Sequence, residues 1–140
     1  MQHAGARVGP LEAAALGRLD GLDPHARGAD GFTALHLAAF FGGADAVKAL
    51  LAAGADPDAD AENPLRVRPL HSAVAARDRE AVRALLQAGA DPNVRQQGGY
   101  TPLHGAAHNG DEALVALLIE HGADPELRTD DGQTARELSP

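Results

Sequence analysis

Seven histidines give this 140-residue chain its widest chemical reach, and three of them, His36, His71 and His104, stand 35 and 33 residues apart. Imidazole can hold a metal or move protons near neutral pH, so a regular set invites both readings. A metal site needs its ligands to converge on one point, however, and equal long spacings distribute side chains along a structure instead. His3, His25, His108 and His121 have no ligand-like spacing. Two acidic pairs, Asp58 with Asp60 and Asp130 with Asp131, fall in segments that read as turns, where a solvated face accounts for them better than a catalytic dyad. There is no G-x-S-x-G, no Gly-rich phosphate loop followed by Lys-Ser or Lys-Thr, and no H-E-x-x-H. The absence of cysteine removes disulfides, thiol catalysis and cysteine-ligated zinc. No catalytic, cofactor-binding or metal-binding residues are expected.

The evenly spaced histidines close a recurring phrase: Thr33-Ala34-Leu35-His36, Arg68-Pro69-Leu70-His71, Thr101-Pro102-Leu103-His104 and a decayed Thr134-Ala135-Arg136-Glu137, with starts 35, 33 and 33 residues apart. A second phrase keeps step with it, at Gly54-Ala55-Asp56-Pro57, Gly89-Ala90-Asp91-Pro92 and Gly122-Ala123-Asp124-Pro125. A period of about 33 residues carrying T-P-L-H resembles the ankyrin repeat. That resemblance implies protein binding more often than catalysis. It also implies that each His and its Thr hydrogen-bond within the turn opening the first helix of a unit. Arg68 replaces Thr in the second copy, so that bond must be rearranged or lost there.

The third copy shows which elements hold these phrases. Gly99-Tyr100-Thr101-Pro102 places a turn before a helix, with Pro at the first helical position, where its missing N–H costs nothing. Leu103, Ala106 and Ala107 give a short first helix with a narrow inner face, and Asn109-Gly110 stops it. Leu114, Val115, Leu117 and Leu118 form the apolar stripe of a second helix, which Gly122-Ala123-Asp124-Pro125 ends before an extended finger. Leu35 to Ala55 and Leu70 to Ala90 follow the same grammar. The expected fold is all-α: a solenoid of helix-turn-helix units with β-hairpin or loop fingers, holding about three full units and incomplete terminal caps. Its approximate boundaries are a short cap at 1–27, repeats at 28–60, 61–95 and 96–128, and an incomplete unit at 129–140, all in one domain.

Composition narrows the partners. Net charge is −8, from 20 acids against 12 bases, 11 of them arginine. No stretch gathers enough Lys or Arg for a phosphate-binding stripe, so nucleic acid is disfavoured. The acidity favours solubility and points weakly to a basic partner, although Asp56, Asp91 and Asp124 belong to the repeated phrase. Nothing approaches the ~18 apolar residues of a membrane helix or a signal peptide's apolar run, which makes cytoplasmic the expected location.

Departures from the repeat carry the individual information. The four aromatics avoid framework positions: Phe32 and Tyr100 precede the phrase, and Phe40 and Phe41 follow Ala38-Ala39. The resemblance places such positions on the concave face, and aromatics are enriched at interface hot spots; the other reading packs Phe40 or Phe41 against a neighbouring finger. The finger from Gly54 to Arg68 spans 14 residues where its two counterparts span 12. Its Leu65, Arg66 and Val67 either extend a binding face or cover the base of a bulged hairpin. The first unit is short, with Leu11, Leu16 and Leu19 as apolar cover, and only six residues follow Thr134. Under-capped ends leave three outcomes open: a homodimer, a piece of a longer protein, or two adequate caps. The expected function is a non-catalytic protein-interaction module without cofactor, its concave face running through Phe32, Phe40, Phe41, Leu65, Arg66, Val67, Arg95, Gln97, Tyr100, His108 and Asn109. The alternative is a scaffold element that self-associates through its ends.

Overall fold

The computed structural model describes residues 31–59 and 64–139. The short cap expected at 1–27, with Leu11, Leu16 and Leu19, and residues 60–63 of the enlarged finger lie outside the described residues. Among the described residues there are seven α-helices and no strand: α1 (Ala34–Leu37), α2 (Gly43–Ala52), α3 (Pro69–Ala75), α4 (Arg79–Gln87), α5 (Pro102–His108), α6 (Glu112–Glu120) and α7 (Ala135–Leu138). The all-helical solenoid read from the sequence is what forms. First helices stack on one another, α1 on α3, α3 on α5 and α5 on α7, while α2 packs on α4 behind them.

The repeated apolar residues become repeated core layers. Leu35, Leu70 and Leu103 are buried at one level, and Leu50, Leu85 and Leu118 at a second. Alanines fill the tight contacts between first helices, with Ala38, Ala73 and Ala106 fully buried. Small side chains here let helices approach closely, and the larger ones behind fill the wedge between units, giving one continuous apolar cluster. Repeated units of this size cannot bury such faces alone, so stacking supplies most of their stability.

The third and fourth fingers are short loops closed across their bases by backbone bonds. Gln96 N–H donates to the Tyr100 carbonyl at 2.9 Å in the third finger, and Thr129 N–H donates to the Gln133 carbonyl at 2.8 Å in the fourth. Neighbouring fingers are tied tip to tip: Gln97 N–H donates to the Leu65 carbonyl at 2.7 Å, and Asp130 N–H to the Gly98 carbonyl at 2.9 Å. Lower down, the Asp58 carboxylate accepts from Asp91 N–H at 2.9 Å, and Asn93 Oδ1 accepts from Asp124 N–H at 2.7 Å.

One turn breaks the pattern, and its cause is a missing side chain. In the second and third units the first helix ends on a left-handed residue, Arg77 (φ 58°) or Gly110 (φ 68°). An aspartate follows, and Asp78 or Asp111 accepts from an N–H of the next helix at 3.1 Å. The first unit has Gly42-Gly43 at these places. Gly43 has no carboxylate with which to cap α2, and the chain runs on from α1 as a π-helical turn over Ala38–Gly42 before Gly43 reverses it at φ 84°, ψ 173°. Such turns are rare and occur often at functional sites. Aspartate cannot occupy that glycine conformation without strain. Gly43→Asp is therefore expected to switch this turn to the Gly110-Asp111 arrangement, with a gain of about 1 kcal/mol from the restored cap. The midpoint of urea unfolding reads this directly, and a lower midpoint would show that the π-helical turn is retained.

Candidate functional site

The π-helical turn sets the geometry of the inner face. Phe40 and Phe41 project from it as an edge-on pair, with ring centroids 4.5 Å apart and planes at 79°. They are 46% and 66% exposed, the most exposed large apolar pair described in the molecule. With Leu37 they form a second apolar stripe, at i, i+3 and i+4, on the side of the helix facing away from the core. The equivalent places are Ser72, Ala75 and Ala76 in the second unit and Gly105, His108 and Asn109 in the third. Large side chains beside small ones leave a hollow of about 420 Å³, walled by Phe32, Phe40 and Phe41, by Val67 from the second finger, and by Gln96 from the third. Leu37, Ser72 and Ala75 complete its lining, and His36 and His71 form its floor.

The floor is held rigidly. Thr33 N–H donates to His36 Nδ1 at 3.1 Å, so the ring proton sits on Nε2, which donates to the Val67 carbonyl of the next finger at 2.7 Å. His104 repeats this with Thr101 N–H at 3.2 Å and the Gln133 carbonyl at 2.9 Å. In the second unit Arg68 brings no hydroxyl, yet its N–H still donates to His71 Nδ1 at 3.0 Å, and Nε2 reaches the Tyr100 carbonyl at 3.2 Å. The substitution thus loses only the hydroxyl half of the arrangement. Each imidazole caps its own helix with one nitrogen and grips the following unit with the other. Burial pushes His71 down from 6.5 to about 4, against the pull of its carbonyl partners. The His71 ring is therefore a neutral strut at physiological pH. Glu137 replaces the histidine in the fourth copy; its carboxylate accepts from Thr134 N–H at 2.8 Å, but it has no donor with which to grip a further finger.

The residues singled out from the sequence fall into three groups. Phe32, Phe40, Phe41 and Val67 come together in the hollow. Leu65, Arg66, Arg95, Gln97 and Tyr100 lie along the fingers beside it. Leu65 is 49% exposed, and Arg66 is exposed in a left-handed conformation at φ 56°. Tyr100 is half-buried over its own His104, with ring centroids 6.0 Å apart. Arg95 braces two fingers, donating to the Gly99 carbonyl at 3.2 Å and the Arg128 carbonyl at 2.7 Å. His108 ends α5 and is exposed, whereas Asn109 caps that helix and joins a polar hollow with Arg77, Arg79, Asp111 and Glu112. Leu37, Ser72, Ala75 and Gln96 were not anticipated. Leu37 could have been, because it stands at helical spacing from Phe40 and Phe41.

A family model of ankyrin repeats in three copies matches residues 11–96 and 70–138. The chain belongs to the ankyrin-repeat family. No curated protein matches it. Ankyrin repeats generally serve as protein-interaction modules, and the family is typically non-catalytic. Among the described residues no cluster of His, Asp and Glu could hold a metal ion, and no helix is long and apolar enough to cross a membrane.

Proposed function

We propose that this ankyrin-repeat chain is a non-catalytic module that binds a partner protein on its inner face, centred on the hollow beside Phe40 and Phe41. One observation carries the reading: the exposed aromatic pair borders a concave, largely apolar hollow whose floor and walls come from consecutive units. Large exposed apolar residues grouped at a cavity mark interaction sites. Fingers tied tip to tip and histidine struts tied to the next unit leave little to be ordered on binding, which favours affinity. Arg66, Leu65 and Gln97 extend this surface along the fingers, while His108 and Asn109 lie at the far end of the third unit and contribute less.

Affinity capture with the intact chain tests this. Phe40→Ala and Phe41→Ala, each exposed and outside the core, are expected to leave the fold unchanged and to weaken partner capture by at least tenfold, the scale of an interface hot spot. Capture that is indifferent to both substitutions removes this face from consideration. A concentration-dependent dimer in light scattering, unaffected by the same substitutions, would favour the reading in which the ends self-associate.

A further inference from the structure

The hollow beside Phe40 and Phe41 is largely apolar, yet it holds two polar side chains that no described residue satisfies. Ser72 lies on α3, directly after His71 of the floor, and is only 8% exposed. Its hydroxyl belongs to the lining of the hollow and meets no hydrogen-bond partner among the described residues. A helical serine can bond back to the carbonyl four residues earlier. Here the Ser72 N–H donates to the Arg68 carbonyl at 3.3 Å and the hydroxyl does not join it. Gln96, on the wall supplied by the third finger, is half-buried. Its backbone N–H and carbonyl are taken by Tyr100 and Gly99, but its side-chain amide is bonded to nothing among the described residues. The two histidines of the floor already have a partner at each ring nitrogen, on their own helix and on the next finger. Among the described residues lining the hollow, none is Asp, Glu, Lys or Arg. A hydroxyl and an amide left over in an apolar, uncharged hollow call for an occupant that is uncharged, apolar in body and polar at its tip.

From this we infer that the hollow is a pocket for one tyrosine of the partner protein, whose ring packs beside Phe40 and Phe41 while its hydroxyl exchanges hydrogen bonds with Ser72 and Gln96. The inference rests on the interaction face proposed above and adds the residue that this face selects. A phenol suits both leftover groups, because its oxygen donates and accepts, as do a serine hydroxyl and a glutamine amide. Its ring also gains edge-to-face contact with the exposed phenylalanines. Leucine or phenylalanine in the same place would cover the Ser72 hydroxyl without bonding it. A carboxylate or ammonium would be stripped of water with no opposite charge on the lining. A second copy of this chain is a poor occupant, because its one tyrosine, Tyr100, is half-buried over its own His104. A small phenolic compound would reach the same polar pair but leave Phe41, 66% exposed, largely uncovered. A protein segment uses the whole face.

The test selects displayed random peptides of about twelve residues, long enough to cross two units, on the intact chain. Tyrosine is expected to be enriched at one position of the selected peptides. In the tightest of them, replacing that tyrosine by phenylalanine should weaken binding about tenfold, the scale of a buried polar group left unbonded. The same replacement measured on Ser72→Ala should cost less than about threefold, because the hydroxyl it would strand is gone. Gln96→Leu should shrink the loss in the same direction. Both variants are expected to fold as the parent does, since neither side chain gives up a bond within the protein and alanine suits a helix. A tenfold loss that persists undiminished in both variants overturns the pocket, because the phenol is then read elsewhere. Selected peptides anchored by leucine or phenylalanine, whose binding Phe41→Ala abolishes, overturn the tyrosine while leaving the interaction face standing. Selected peptides indifferent to both Phe40→Ala and Phe41→Ala overturn the face itself. A selection that yields no peptide binding more tightly than roughly 500 μM also overturns the inference.

Discussion

Leu85→Ala is expected to lower the stability of this protein by about 3–4 kcal/mol, enough to leave a small repeat array marginal. Leu85 is fully buried in α4, the second helix of the middle unit. It stands in register with Leu50 before it and Leu118 after it, in a cluster that runs through every described unit. Removing its isobutyl group takes away apolar contact on both sides and leaves a cavity that the rigid stacking of neighbours cannot close. In a solenoid the loss also has an address. Stability is roughly the sum of unit and interface contributions, so damage in the middle weakens two interfaces, whereas Leu65→Ala on the exposed finger is expected to change stability by less than about 0.5 kcal/mol. Urea titrations of both variants check this. The denaturant dependence of Leu85→Ala should also shallow if the array begins to unfold in parts. A cost below about 1 kcal/mol would mean that the layers are not packed as described.

Acid should destabilise the protein through one buried imidazole, that of His71. His71 is held neutral to about pH 4, while in the unfolded chain it titrates near 6.5. Burial is the main cause, since a charged ring would be desolvated; the nearby Arg68 and His36 add to it. A proton on Nδ1 would also displace the Arg68 N–H that the nitrogen accepts. Between these two values the unfolded chain binds the proton and the folded one does not. Stability is therefore complete above about pH 6.5 and falls as pH drops towards 4, by about 3 kcal/mol at about 1.4 kcal/mol per pH unit. Glu137, held below its ordinary value by Thr134 N–H, adds a loss with the same sign at lower pH. Asp58 acts the other way: desolvation raises it, so its protonation offsets part of the loss. Unfolding midpoints across pH 7.5 to 4.5 should show the fall. His71→Gln should flatten it, because an amide can still accept from Arg68 N–H and does not titrate in this range. An unchanged slope in that variant would place the acid sensitivity elsewhere.

The framework was legible because repetition averages away local ambiguity. Leu35, Leu70 and Leu103 mark one position three times, and a helix read from any one of them is supported by the other two. The exchange of Thr for Arg68 was legible as a bond rearranged or lost, but not which, since the bond that survives uses backbone. Less of the interaction face could be read. Phe40 and Phe41 stood out by type, but the hollow beside them depends on Ser72 and Ala75 being small in the next unit, a relation between residues far apart in sequence. The π-helical turn depends on something Gly43 lacks, visible only when it is laid against Asp78 and Asp111. The bracing role of Arg95 left no trace in the sequence, because its targets are carbonyls that every residue has.

The histidine struts give the array a direction of growth. His36, His71 and His104 each hold their own helix with one nitrogen and the following unit with the other, so each behaves as a bifunctional monomer joined head to tail. Glu137 holds its own helix and offers nothing onward, the chemistry of a chain terminator. A duplicated unit inserted ahead of Thr134 would inherit a strut on both sides and lengthen the solenoid without a fault. The same unit placed behind Glu137 would be held by packing alone. Lengthening by duplication thus keeps its struts at every internal junction and loses one behind Glu137, by a single exchange of imidazole for carboxylate.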